Sequence, residues 1–201
     1  MKSKIIGVVL MVVGLSIIGG ALSMRYYADK RQNVMVNEFE KNLQKFNKMG
    51  DISSTEKLNN LGVKLPSQDI NGAMGIMLIP KINLKVAIGE GVDMETLKYA
   101  VGHFPYTAKP GEKGNFCVAG HRSYGYNEYF NRLDEIKIGD EVILRTIKNE
   151  YKYKVYEIRI VEPSEVSVLD KTKDATLTLV TCTPIRVATH RLIIKGRLIE
   201  K

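Results

Sequence analysis

Twenty consecutive residues, Ile5 to Met24, carry no charge. As a helix they would reach about 30 Å, the thickness of a bilayer core. The chain therefore meets a membrane. Ala21-Leu22-Ser23 has the small-x-small form of a signal cleavage site. The apolar run, however, exceeds the roughly 7–15 residues of a signal core, which favours a retained anchor over residues 1–24. Lys2 and Lys4 precede the run and Arg25, Lys30 and Arg31 follow it, so flanking charge does not set the orientation. Long domains translocate largely regardless of charge, and export of the part behind the anchor is expected.

With 201 residues in all, the remainder suits one compact domain and a connection. At 44% hydrophobic and 26% charged residues a real core is available, and a mainly disordered chain is excluded. The net charge of +8 is spread among interleaved acids and bases with no basic stripe, so nucleic acid is not an expected partner. Two cysteines and three histidines are too few for a zinc ribbon or a disulfide scaffold. Neither a metal nor a cofactor is expected.

From Arg25 to Met49, Met35, Phe39, Leu43, Phe46 and Met49 recur every three or four residues, predicting an amphipathic helix that Gly50 closes. Its stripe suits packing on a neighbouring domain, or a stalk that covers a groove. Ser53-Ser54-Thr55-Glu56 fits a capping box opening a short helix, and Gly62, Pro66 and Gly72 punctuate the rest of a connection over 25–72.

Beyond residue 72 the pattern turns to short β-rich runs: 76–79, 84–88, 115–119, 141–147, 151–161, 175–181 and 191–198. Short helices are predicted at 94–101 and 128–136, and a hairpin turn at Asn149-Glu150. Many strands within residues 73–201 point to a closed or nearly closed β-barrel, which removes exposed edges.

Alternation then locates chemistry, because successive strand residues face opposite sides. Leu177 and Leu179 share one face, leaving Cys182 on the other with Thr176, Thr178 and Val180. Phe116 and Val118 likewise leave Asn115, Cys117, Ala119 and His121 opposite. In the last strand Leu192, Ile194 and Leu198 leave Arg191, Ile193, Lys195 and Arg197 opposite. If the strands flanking the Cys182–Arg191 loop pair as antiparallel neighbours, thiol and guanidinium border one groove. A thiolate to attack a carbonyl, an imidazolium to protonate a leaving amine and a fixed cation for the oxyanion form a nucleophilic constellation. The same residue types also serve as a buried small hydrophobe, a hydrogen-bonding histidine and a surface charge.

Thr178-Leu179-Val180-Thr181-Cys182 resembles the Thr-Leu-x-Thr-Cys signature of the sortases, membrane-anchored cysteine transpeptidases of Gram-positive bacteria. Gly114 to Arg122, with its Ala-Gly-His, resembles the family's histidine strand. Thr189-His190-Arg191-Leu192 resembles its arginine strand, and Gly75 to Ile82 its opening strand. The resemblance covers about residues 73–199 in the family's order. It implies an all-β, eight-stranded sortase-like barrel with short helices, preceded by the membrane helix and a helical stalk. It implies Cys182 as nucleophile, His121 as general acid/base and Arg191 as the oxyanion-stabilising cation. It further implies cleavage of a Leu-Pro-x-Thr-Gly sorting signal between Thr and Gly on surface proteins, and transfer to the amine of a cell-wall precursor.

The short Cys182–Arg191 connection with Thr183-Pro184 resembles the pilin-polymerising and class D sortases. Residues 50–72 hold no Asp-Pro-aromatic lid motif, and the sequence stops just after the last strand without a second span, which favours a lidless class D-like anchoring enzyme over a pilin polymerase. An L,D-transpeptidase fits poorly, since Val180-Thr181 precedes the cysteine and Thr183 follows it. A membrane-tethered, non-catalytic wall-binding barrel is the alternative of another class. Cys117 lies about 13 Å along its strand from His121 and is expected to be packing. His103 and His190 are expected to be structural or rim groups. Thr181 is expected to orient the peptide, although alternation places it with the core leucines, and Arg122 is expected to face solvent.

Overall fold

In the computed structural model, which describes residues 2–49, 73–122 and 129–201, with side chains from residue 4 to 45 in the first stretch, one unbroken helix α1 (Lys2–Met49) spans both N-terminal segments. Its 48 residues reach about 72 Å. No side chain between Ile5 and Met24 is buried among the described residues, so an apolar cylinder lies exposed there, as a bilayer span requires. Past Met24 the same helix changes character and docks. Ala28, Gln32, Val36 and Phe39 are buried, with spacings of four, four and three that keep them on one stripe. Met35 packs with them. Phe46, Met49, Gly50 and the expected capping box at Ser53 lie outside the described side chains or residues.

Eight strands follow: β1 (Ala73–Ile79), β2 (Leu84–Glu90), β3 (Val101–His103), β4 (Gly114–Ala119), β5 (Glu141–Arg145), β6 (Glu150–Val161), β7 (Ala175–Thr183) and β8 (His190–Glu200). They close into a barrel in the order β1-β2-β3-β4-β7-β8-β6-β5, with β2/β3 and β4/β7 parallel and the other pairs antiparallel. Closure leaves no open edge, as the strand-rich pattern predicts. A helix α2 (Met94–Tyr99) supplies the β2-to-β3 crossover, its start fixed by Asp93, which accepts bonds from Glu95 N and Thr96 N at 3.0 Å each.

Alternate residues fill the barrel: Met77, Val86, Ile88, Phe116, Val118, Leu144, Tyr153, Leu177, Leu179 and Ile194 all point inward. The outer face of β1 and β2 presents Ala73, Ile76 and Ala87, and Val36 and Phe39 of α1 pack there with Ala100. Burying Val36 or Phe39 contributes about 1.5–3 kcal/mol each. Polar ties fix the register of helix on barrel. Gln32 Nε2 donates to Lys85 O at 3.1 Å, Lys85 Nζ pairs with Glu40 Oε1 at 2.6 Å, and the Arg31 guanidinium lies 4.3 Å above the Tyr99 ring.

Two expected helices are corrected. The first ends at Tyr99 rather than 101, because Val101 and His103 pair with β2 and β4 as a short strand. Between 129 and 136 the only described helix is a 3-10 turn, Leu133–Glu135. Phe130, Leu133 and Ile136 are all buried, and a spacing of three suits turns of three residues rather than an α-helix.

Candidate active site

Cys182 lies on β7 and Arg191 on its neighbour β8, while His121 follows two residues after the end of β4, the neighbour of β7 on its other side. Cys182 is the direct partner of Arg191 in the antiparallel β7/β8 ladder, so the two side chains leave the wall on the same side. In the parallel β4/β7 ladder Cys117 lies level with Thr178 and Ala119 with Val180. The paired ladder ends there, and the same two-residue step extrapolated past it takes His121 to the level of Cys182. Cys182 and Arg191 therefore sit on the outer face, opposite the inward Leu179, Thr181 and Leu192, and His121 shares their parity at the end where β4 and β7 finish.

Each has a distinct setting. Cys182 is half-buried and carries a free thiol. His121 is half-buried, and burial lowers its pKa from the ordinary histidine value by penalising the charged ring. Its backbone carbonyl accepts from Phe130 N at 3.1 Å, which fastens the segment after β4. Arg191 Nη1 donates to Ala188 O at 3.2 Å and His190 O at 3.0 Å, bracing the guanidinium against the β7–β8 loop. That loop is shaped by Arg186 and Ala188, both in the left-handed region at φ 70 and 58.

Beneath the three lies a buried polar layer. Thr178 Oγ1 donates to Asn115 Oδ1 at 2.6 Å, and Asn115 Nδ2 donates to Val168 O at 2.9 Å and Asp170 O at 3.1 Å. These bonds seat the loop after β6 against the outer face of β4 and β7. Cys117 is buried in this layer, and burial pushes its thiol up to about 12. It has neither the access nor the ionisation of a nucleophile.

Thr181 is buried and turned inward, its hydroxyl donating to Gly120 O at 2.7 Å. His103 is buried between Glu90, Thr107 and Ala108 and stacks on Phe116, in a structural setting. His190 pairs with Glu162 at 3.1 Å on the rim.

Arg122 overturns its expected solvent exposure. Its side chain is 5% exposed and pairs with Asp134 Oδ2 at 2.8 Å. Its Nη1 donates to Thr183 Oγ1 at 2.9 Å and its Nε to Asn131 O at 3.2 Å. Continuing the alternation of Phe116 and Val118 gives Arg122 inward parity. A charge on that face must find partners, and parity alone was enough to foresee it.

Residues 77–199 match the Sortase domain family. The Bacillus subtilis protein named Sortase D is 32% identical over 152 residues, covering 74% of this chain and 74% of that protein. Among solved structures, a Clostridium perfringens Sortase D5 transpeptidase is similar at 33% identity and a TM-score of 0.62, covering 82% of this chain and 99% of its own. Streptococcus agalactiae Sortase C1 shares the fold at a TM-score of 0.70 and 24% identity, covering 84% of this chain and 96% of its own. With the family's domain spanning the barrel from β1 to β8, the chain belongs to the sortases, a family of cysteine transpeptidases.

Proposed function

We propose that this sortase cleaves a Leu-Pro-x-Thr-Gly-type sorting signal between Thr and Gly and transfers the threonyl carbonyl to the amine of a cell-wall precursor. The observation that carries the reading is the cross-strand pairing of Cys182 with Arg191 on the outer face, with His121 one strand away. His121, its ring favouring the neutral form, accepts the Cys182 thiol proton. The thiolate attacks the threonyl carbonyl, and the oxyanion that forms is held by the Arg191 guanidinium. The imidazolium returns its proton to the departing glycyl nitrogen, which leaves a thioester on Cys182. The acceptor amine then attacks that thioester, His121 takes its excess proton, and the returning thiol restores the starting state. Thr181 acts from beneath by fixing the backbone that precedes His121, and its hydroxyl is already committed to Gly120 O.

The working unit is the barrel over residues 73–201, with residues 1–24 as a single-pass anchor and 25–72 as the connection that docks on it. The barrel operates outside the cell, against the membrane that α1 enters. A class D-like anchoring role is favoured over pilin polymerisation. It is supported by the identity to class D relatives and by the absence of an Asp-Pro-aromatic motif in residues 50–72. Incubation of the full chain in detergent with a Leu-Pro-x-Thr-Gly peptide and a short amine acceptor tests the reading. Release of a peptide beginning at Gly, with the acceptor joined to Thr, supports it; no product, or cleavage at another bond, contradicts it.

A further inference from the structure

The β4/β7 ladder gives out just where the site begins, its last described backbone bond running from Gly120 N to Val180 O at 3.2 Å. From there side chains take over on the inner face. Thr181 Oγ1 donates to Gly120 O at 2.7 Å, and Arg122 Nη1 donates to Thr183 Oγ1 at 2.9 Å. The first bond joins the residues just before His121 and Cys182, and the second joins the residues just after them. The pair is bracketed.

We propose that Arg122 and Thr183 form a positioning clasp that sets the separation and level of His121 and Cys182, so that Arg122 serves the reaction without touching substrate. This rests on the catalytic reading of Cys182 and His121 given above. Arg122 suits the task because its planar fork is held at three points, by Thr183, by Asn131 O and by Asp134. The Asp134 carboxylate offsets the charge buried under the site and itself remains exposed. A hydroxyl at residue 183 accepts from a guanidinium that the barrel has already fixed, and so sets where β7 ends relative to the segment carrying His121. Asn131 and Asp134 belong to the stretch whose Phe130 N bonds His121 O at 3.1 Å, so the same stretch braces histidine and clasp together.

The test is steady-state kinetics on the full chain in detergent with a sorting-signal peptide, together with the pH profile of Cys182 alkylation by iodoacetamide. Thr183→Val keeps the shape and removes the acceptor, and Thr183→Ser restores it. The clasp predicts a kcat for Thr183→Val about 10- to 100-fold below wild type at unchanged KM, with an altered alkylation profile, and recovery of both in Thr183→Ser. Wild-type kcat and profile in Thr183→Val, a loss carried by KM, or a loss that Thr183→Ser does not recover would each overturn it. Should Thr183→Val not fold, Asp134→Asn probes the same clasp from its exposed end: a lower kcat at unchanged KM supports the proposal, and a wild-type kcat overturns it. Cys182→Ala separates the two levels of argument. If that variant still transfers, the underlying catalytic reading fails; if it is dead beside a wild-type-like Thr183→Val, the clasp alone fails.

Discussion

Cys182 and Arg191 face each other directly across β7 and β8, although eight residues separate them in sequence. One rung of a closed barrel thus carries a nucleophile and a cation on the same face. Both hydrogen bonds of the guanidinium to described residues use Nη1, so among those residues the rest of its fork remains open to a ligand. Arg191→Lys is expected to fold normally and to lower kcat by about 10²–10³-fold, the usual effect of losing one oxyanion donor. Arg197 is the control, on the same face of β8, six residues and about 20 Å further along, beside Tyr156. Arg197→Lys should be nearly silent, and equal losses in the two variants would remove Arg191 from the site.

The two thiols should behave as different chemical species. Cys117 is buried with its pKa pushed up to about 12, and Cys182 is half-exposed at the site. Iodoacetamide at neutral pH should label Cys182 alone in the folded protein, as peptide mapping would read. Cys117→Ala should retain turnover and lose up to a few kcal/mol of stability through the cavity it leaves. Labelling of Cys117 in the native state would contradict the packing described here.

Burial lowers the His121 pKa, which fixes the sign of a pH effect. The unfolded chain holds a proton at this residue that the folded one gives up more readily. This contribution to stability is therefore complete above the ordinary histidine value near 6.5 and diminishes as pH falls through and below it. An NMR titration of the His121 ring in Cys182→Ala, where no thiolate can bias it, should give a midpoint below 6.5. A midpoint above that value would contradict the assignment.

Phe39 anchors α1 on the outer face of β1 and β2 from a fully buried position. Phe39→Ala should cost about 3–5 kcal/mol if the helix stays docked around the cavity, and less if it lifts away. Residues 73–201 alone should still fold and turn over, because the barrel closes without α1. A thermal melt of that fragment is expected at a lower midpoint than the full chain. An unfolded fragment would show instead that α1 completes the core.

Alternation made most of the barrel legible, since in β1, β4, β7 and β8 one face is apolar and the other bears the chemistry. The same rule leaves Cys182, His121 and Arg191 on the less apolar faces of their strands. β3 escaped because its three residues follow α2 directly and carry no alternation of their own. The continuity of α1 was equally hidden: the composition break at Met24 is a change of solvent, from lipid to a protein surface, and the backbone runs through it. Arg122 reads as exposed because it is a charge beside a histidine, whereas its parity points it into the barrel end, where Thr183 and Asp134 bind it.

The central claim is that Cys182 forms a thioester with the threonyl carbonyl of a sorting signal. Intact-mass analysis of the full chain, quenched in acid after brief incubation with a Leu-Pro-x-Thr-Gly peptide and no acceptor amine, tests it most directly. The account predicts an adduct equal to the peptide less its Gly-side fragment, mapped to Cys182, discharged by added amine and absent in Cys182→Ala. Peptide that binds without forming an adduct, or an adduct that persists in Cys182→Ala, would contradict it.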